Sequence, residues 1–291
     1  MSTLDYDQIK RLVIIAMFSD DDLMDLLVLK GGNALDIIYE MAQRASIDVD
    51  FSIEGEFDDL ETVAGKIRRT LEETFSATGH QVFDVKLTER PPTVSANMQD
   101  FWGGYRAQFK LIEREKYRAL AADPAALRRN ATVVGDRQRR TFWVDISKFE
   151  HCRPKQASDF EGYTIYVYTP EMLVFEKLRA ICQQMPEYGE LVKSSSRSAR
   201  ARDFFDIYTV DQARAIDFGA AESLALVRDM FQAKRVPLRL IGRIGEYREY
   251  HRPDFLVVRD TVKAGVALKD FDFYFDYVVE KCRALKPLWD E

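Results

Sequence analysis

A chain of 291 residues with 46% hydrophobic and 31% charged residues is long enough to bury a full core, which excludes an intrinsically disordered protein. Its net charge of -6 excludes a general nucleic-acid coating protein, although a local basic patch depends only on where the charges lie. Cys152, Cys182 and Cys282, odd in number and widely spaced, form neither a disulfide framework nor a zinc motif and suit a reducing cytoplasm.

In chain order, residues 6–18 carry apolar side chains at helical spacing and end in the acidic turn SDDD. The apolar run LVIIAMF inside this segment is far too short to span a bilayer, and no basic n-region precedes it, so the expectation is a soluble cytoplasmic protein with no membrane partner. DLLVLKGG (25–32) predicts a short buried strand closed by a Gly-Gly turn, and 33–41 resumes helical spacing through Leu35, Ile37 and Ile38. In RASIDVDFSIEG (44–55), Ile47, Val49, Phe51 and Ile53 alternate with Ser46, Asp48, Asp50 and Ser52, a strand with one apolar and one polar face. A helix follows over 58–79 with a glycine stop. Strands are predicted over 81–89, 104–113 and 140–150, with a helix and the polar loop NATVVGDRQRR between the last two. A last short strand spans 163–170.

Beyond it strand signals nearly vanish. TPEMLVFEKLRAICQQM begins with Thr at the N-cap and Pro at N1. PEYGELVKSSSRSAR is a polar, serine-rich insertion, ARDFFDIYTVDQ opens another helix, and three more helices follow. The expected organisation is a mixed α/β part over 1–168 and a helical part over 169–291, without internal repeats.

The chemistry-bearing residues start with Asp48 and Asp50, two carboxylates on one strand face about 7 Å apart or less. Like charges at that spacing repel unless a metal, an arginine or water lies between them. Asp145, mid-strand in FWVDISKF, is a third candidate, because an unpaired carboxylate there is costly to bury. Carboxylates on neighbouring strands hold hard cations such as Mg²⁺, whose shell substrate phosphates complete, and paired ions activate an attacking oxygen and stabilise a leaving one. Taken alone, a D-x-D pair is more often a solvated face or an arginine partner. The Gly31-Gly32-Asn33 turn lets backbone approach a ligand and offers N–H groups to an anion, though a lone GG turn usually only changes direction.

Together these elements, LKGGNALDIIYEMAQRASIDVDFSI, closely resemble the signature of the AbiEii-type nucleotidyltransferase toxins, in which an L-K-G-G turn, a helix and an R-x-S-x-D-x-D-F strand follow in order. These toxins belong to the DNA polymerase β-like nucleotidyltransferase superfamily. The match runs from Leu29 to Phe51 with Arg44, Ser46, Asp48 and Asp50 in register. Asn33 stands where the family commonly has Ser or Thr, and its side chain can still hydrogen-bond a phosphate. The family's second signature, a helical lysine before an R-D-x-x-D helix, is met by Lys177 in VFEKLRAI and by Arg202, Asp203 and Asp206 in ARDFFDIY.

The resemblance implies an α+β fold: a polymerase β-like mixed sheet with flanking helices, then a mainly helical part contributing Lys177 and Asp203 to the site. It implies an Mg²⁺-dependent toxin that binds an NTP and transfers NMP to an acceptor hydroxyl, with a tRNA 3′ end or other RNA as acceptor and a cognate antitoxin as a possible partner. Asp48, Asp50, Lys177 and Asp203 would be catalytic and Asp48, Asp50 and Asp145 would hold metal. Gly31, Gly32, Asn33, Ser46, Lys177, Arg202 and Asp206 would bind nucleotide. The serine-rich insertion lengthens the link between Lys177 and the R-D helix, which leaves open whether Asp203 or Asp206 is the functional carboxylate. A non-catalytic RNA- or protein-binding module and a metal-dependent nuclease are the alternatives, and the latter gives no reason for the GG turn.

Three basic clusters remain: Arg137, Arg139 and Arg140; Lys193, Arg197, Arg200 and Arg202; Lys234, Arg235, Arg239 and Arg243. Each alone is most often a solvated face, but around a metal site they would attract an RNA backbone. Tyr105, Tyr247 and Tyr250 are candidates for base stacking, with packing the commoner role. His80, His151 and His251 have no metal-ligand spacing.

Overall fold

A computed structural model describes residues 4–45, 48–133, 139–192 and 197–290. The chain divides into two compact units, one of Met1–Asn33 with Ile47–Val167 and the other of Ala34–Ser46 with Tyr168–Glu291. The segment 34–46, expected within the first part, therefore belongs with the C-terminal unit.

The first unit is a seven-stranded mixed sheet with flanking helices, in the order β3-β4-β5-β2-β1-β7-β6. Its strands are β1 (Val28–Lys30), β2 (Val49–Ser52), β3 (His80–Arg90), β4 (Gly104–Glu113), β5 (Phe142–Ser147), β6 (Lys155–Phe160) and β7 (Tyr163–Tyr168). The helices are α1 (Tyr6–Phe18), α2 (Asp21–Leu26), the single turn α3 (Gly31–Asn33), α4 (Leu60–Ser76), α5 (Arg114–Leu120) and α6 (Pro124–Asn130). β2 runs antiparallel to β1 and parallel to β5, and β4 is antiparallel to β3 and β5. This is the α+β class expected.

Period-2 alternation orients the central strands. Val49 and Phe51 of β2, Ala107 and Phe109 of β4, and Phe142, Val144 and Ile146 of β5 are all buried. Phe51 meets Phe18 of α1 at 5.8 Å and Phe109 meets Phe75 of α4 at 5.8 Å between ring centroids, so α1 and α4 cover this face. Both helices have firm starts: Asp5 and Gln8 form a reciprocal capping box on α1, and Asp59 accepts from the first turn of α4. The alternate positions, Asp50, Arg106, Gln108, Trp143 and Asp145, point to the other face and are half-buried. β6, KQASDF, was missed from sequence because only Phe160 of it is buried.

The second unit holds α7 (Pro170–Cys182), α8 (Pro186–Leu191), α9 (Ala201–Arg214), α10 (Ala221–Ala233), α11 (Arg248–His251), α12 (Phe255–Thr261) and α13 (Phe271–Cys282). The segment Ala34–Ile38 is a π-helix where a longer α-helix was expected. Thr169 caps α7 by accepting from the Met172 N–H at 3.3 Å, with Pro170 in its first turn. α8 lies in the serine-rich stretch and is anchored by Tyr188, whose hydroxyl donates to the Lys234 carbonyl at 2.8 Å. An aromatic cluster ties α9 to α13: Phe204 stacks on Phe275 at 5.0 Å, and Phe205 meets Tyr274 edge-on at 5.2 Å.

Candidate active site

In the first unit the Gly-Gly turn and the acidic strand are built against each other. Lys30 ends β1 opposite Asp50 of β2, so the next residue, Gly31, comes to lie beside that carboxylate. Gly31 has φ +71°, and a Cβ there would sit 2.8 Å from Asp50 Oδ2. Both the left-handed backbone and the lack of space require glycine. Asn33, wholly buried, donates from Nδ2 to the Asp48 carbonyl, while its Oδ1 has no hydrogen-bond partner among the described residues. The turn is thus fastened to the start of the acidic strand at two points. Asp48 is exposed and Asp50 half-buried; Ser46 lies outside the described residues.

Parallel pairing of β2 with β5 sets Asp145 directly beside Asp50. Asp145 is held by Arg106, its cross-strand neighbour on β4: Arg106 Nε donates to Oδ1 at 2.6 Å and Nη2 to Oδ2 at 2.8 Å. These hydrogen bonds, with Asp48 and Asp50 nearby, push the Arg106 guanidinium above its usual range. The guanidinium carbons of Arg106 and Arg139 lie over the Trp143 ring at 4.6 and 4.5 Å. Among the described residues no three His, Cys, Asp or Glu side chains are grouped as a metal site.

The second unit gathers the other signature residues. Lys177 is 8% exposed and donates to Asp206 at 2.7 Å and Asp203 at 3.3 Å. Arg44 grips Asp206 in a fork, Nε to Oδ1 at 2.8 Å and Nη2 to Oδ2 at 2.6 Å. Burial alone would raise the Asp206 carboxyl, but Lys177 and Arg44 outweigh it and hold it at about 2. Burial would likewise lower Lys177, yet Asp206 and Asp203 keep it above its ordinary value. Arg200 approaches Asp203 at 3.5 Å, and Arg202 is exposed. The backbone N–H of Arg200 donates to His251 Nδ1 at 3.0 Å. Two cations therefore balance two buried carboxylates in the Arg44–Asp206–Lys177–Asp203 set.

The family model described as "Nucleotidyl transferase AbiEii toxin, Type IV TA system" matches residues 13–277, nearly the whole chain and both signatures. The chain belongs to the AbiEii nucleotidyltransferase toxin family. No curated protein matches the sequence. Similar solved structures include three crystal structures. A candidate nucleotidyltransferase from H. pylori has TM-score 0.47 and 14% identity, covering 98% of this chain and 95% of its own. JHP933 from Helicobacter pylori has TM-score 0.47 and 15% identity, with 98% and 92% covered. An antigenic nucleotidyltransferase-like protein from Paracoccidioides brasiliensis has TM-score 0.36 and 16% identity, with 81% and 95% covered.

In this AbiEii chain the remaining candidates find structural places. Tyr105 is a core residue, stacked on Phe57 at 4.6 Å, its hydroxyl accepting from the Phe57 N–H at 3.2 Å. Lys234 is buried, and Arg243 is engaged by Glu187 and Glu246. Arg197 lies over Tyr250 at 4.9 Å. Arg137 and Lys193 lie outside the described residues. No described helix is long and apolar enough to cross a membrane. Arg106 and Trp143 escaped the sequence reading, although Arg106, Gln108 and Lys110 alternate along a predicted strand and so mark its polar face.

Asp48 and Asp50 are hard oxygen donors of the kind a dication such as Mg²⁺ takes.

Proposed function

We propose that this toxin is an Mg²⁺-dependent nucleotidyltransferase that moves NMP from an NTP to an acceptor hydroxyl, with a tRNA 3′ end as the first acceptor to test. The observation that carries this reading is the packing of the Gly31 turn against Asp50, on the strand that begins directly after Asp48. The turn amides would receive phosphate oxygens, and Gly31 keeps the backbone close enough for that approach. Asp48 and Asp50 would hold the Mg²⁺ ion, which supplies charge neutralisation and a more nucleophilic acceptor oxygen.

In the second unit, Lys177 is the phosphate ligand that the family resemblance implies. Asp203 and Asp206 keep its ammonium charged despite burial, so it retains the charge that a triphosphate would select. The family's type IV toxin–antitoxin description supports a cognate antitoxin as partner in the cell.

The test is label transfer from each of the four α-³²P NTPs, with Mg²⁺ and total RNA, by wild type and by D48N and D50N. Labelled RNA in wild type only, dependent on Mg²⁺, supports the reading. Label on no acceptor, or undiminished label with D48N, overturns it. RNA degradation without NTP would point to a nuclease instead.

A further inference from the structure

We infer that Arg106 takes Asp145 out of the metal-ligand set and supplies a fixed positive charge in its place. This rests on the nucleotidyltransferase reading above. Position alone makes Asp145 the natural third ligand, since β2–β5 register sets it beside Asp50. Its chemistry, however, is already committed. Both carboxylate oxygens accept from one guanidinium, at 2.6 and 2.8 Å, in the fork geometry that only arginine offers.

That guanidinium is held from three directions. Its own strand places it opposite Asp145, the carboxylate fixes its Nε and Nη2 edge, and the Trp143 ring lies 4.6 Å from its Cζ. A dication seeking Asp145 must break two charge-assisted hydrogen bonds and compete with a nearby positive charge. Arg106 neutralises Asp145 and feels the charges of Asp48 and Asp50 as well. Nε and Nη2 are spent on Asp145, whereas Nη1 hydrogen-bonds no group among the described residues. It is therefore placed to meet an oxygen of a phosphate drawn to the same face, the work that a second ion bound by Asp145 would otherwise do.

Manganese alone is the probe, titrated into the full chain and followed by the EPR signal of free Mn²⁺ and by calorimetry, with D50N, D145N, R106M and the double variant R106M/D145N beside wild type. D50N should weaken Mn²⁺ binding about tenfold or more, and D145N, which leaves the Arg106 charge unpaired, should weaken it by clearly less. R106M should tighten binding about tenfold or admit a second ion, because Asp145 is released. R106M/D145N, which removes both charges of the pair and so keeps the local balance, should bind like wild type; circular dichroism of each variant checks the fold. Equal losses in D145N and D50N would make Asp145 a ligand and overturn the inference. Unchanged binding in R106M would overturn it too, since Arg106 would then not be what withholds Asp145. No Mn²⁺ binding in wild type would instead remove the metal reading itself, a result separable from both.

Discussion

Gly31 and Asp50 are packed so closely that a β-carbon on Gly31 would lie 2.8 Å from a carboxylate oxygen of Asp50. The side chain most central to the proposed site is therefore positioned by the absence of another. Gly31→Ala adds a methyl group into that contact and imposes φ +71° on an L-residue, at a cost of about 1–2 kcal/mol before any relaxation. Relaxation falls on Asp50, which has to turn away. The expected outcome is a modest loss of stability in urea denaturation and a loss of NMP transfer of about 100-fold, the scale set by displacing a reacting group by an ångström. Full activity in a folded Gly31→Ala protein would show that the Asp50 position is not critical.

Asn33 is the second fastening. Its Nδ2 donates to the Asp48 carbonyl from a fully buried position. Asn33→Ala leaves that carbonyl without its donor, a cost of about 1–3 kcal/mol, but also removes the unpartnered Oδ1, which offsets part of it. The net stability loss should be near ~1 kcal/mol, with transfer activity falling far more steeply than stability as the start of the acidic strand loosens. Denaturation and initial-rate measurements on the same preparation separate the two. Parallel losses would make Asn33 purely structural.

Much of this architecture was legible in the residues. The alternation of Val49 and Phe51 with Asp48 and Asp50 gave a strand and its two faces, because period-2 burial is a local property. Thr169-Pro170 marked a helix start for the same reason. Pairings between distant residues were not legible. Arg106 and Asp145 are both ordinary polar-face residues of separate strands, and only the β4–β5 register makes them partners. Arg44 precedes the acidic strand in sequence and looked like part of that motif, yet its charge is spent on Asp206, 162 residues away. Tyr105 read as a base-stacking candidate with packing the commoner role, and it packs on Phe57; aromatic character alone does not say which sheet face is covered. β6 escaped because an edge strand buries too little to imprint a pattern.

Two buried groups in the second unit contribute to its response to acid. Burial pushes His251 down from 6.5 to about 4, so the folded protein keeps it neutral while the unfolded chain protonates. This contribution is complete above pH 6.5 and is lost as pH falls toward 4, about 3 kcal/mol in all. Asp206 has a depressed folded value of about 2 against 3.8; its contribution is present above pH 3.8 and disappears as pH falls through about 2, a further ~2 kcal/mol. Urea stability should therefore decline in two stages, and in His251→Asn, where no titrating ring remains, the stage between pH 6.5 and 4 should flatten. An unchanged slope there would assign it to other groups.

The last prediction concerns Arg44 and Asp206. Arg44 sits in a segment whose backbone is bonded to the end of α12: Ala45 N–H donates to the Thr261 carbonyl at 2.9 Å and Lys263 N–H to the Gln43 carbonyl at 2.8 Å. The guanidinium fork to Asp206 adds a side-chain anchor to that backbone pairing. Arg44→Lys preserves charge but replaces two parallel hydrogen bonds with at most one from a point charge, so stability should fall by about 1–3 kcal/mol. Arg44→Met should cost more, about 3–5 kcal/mol, because Asp206 is then buried with Lys177 shared between two carboxylates. Combining Arg44→Met with Asp206→Asn tests whether the pair acts as a unit. Removing the second charge should recover part of the loss, giving a coupling energy above about 1 kcal/mol in a double-mutant cycle of urea unfolding. Strict additivity would mean that the fork contributes nothing beyond the charges its members carry separately.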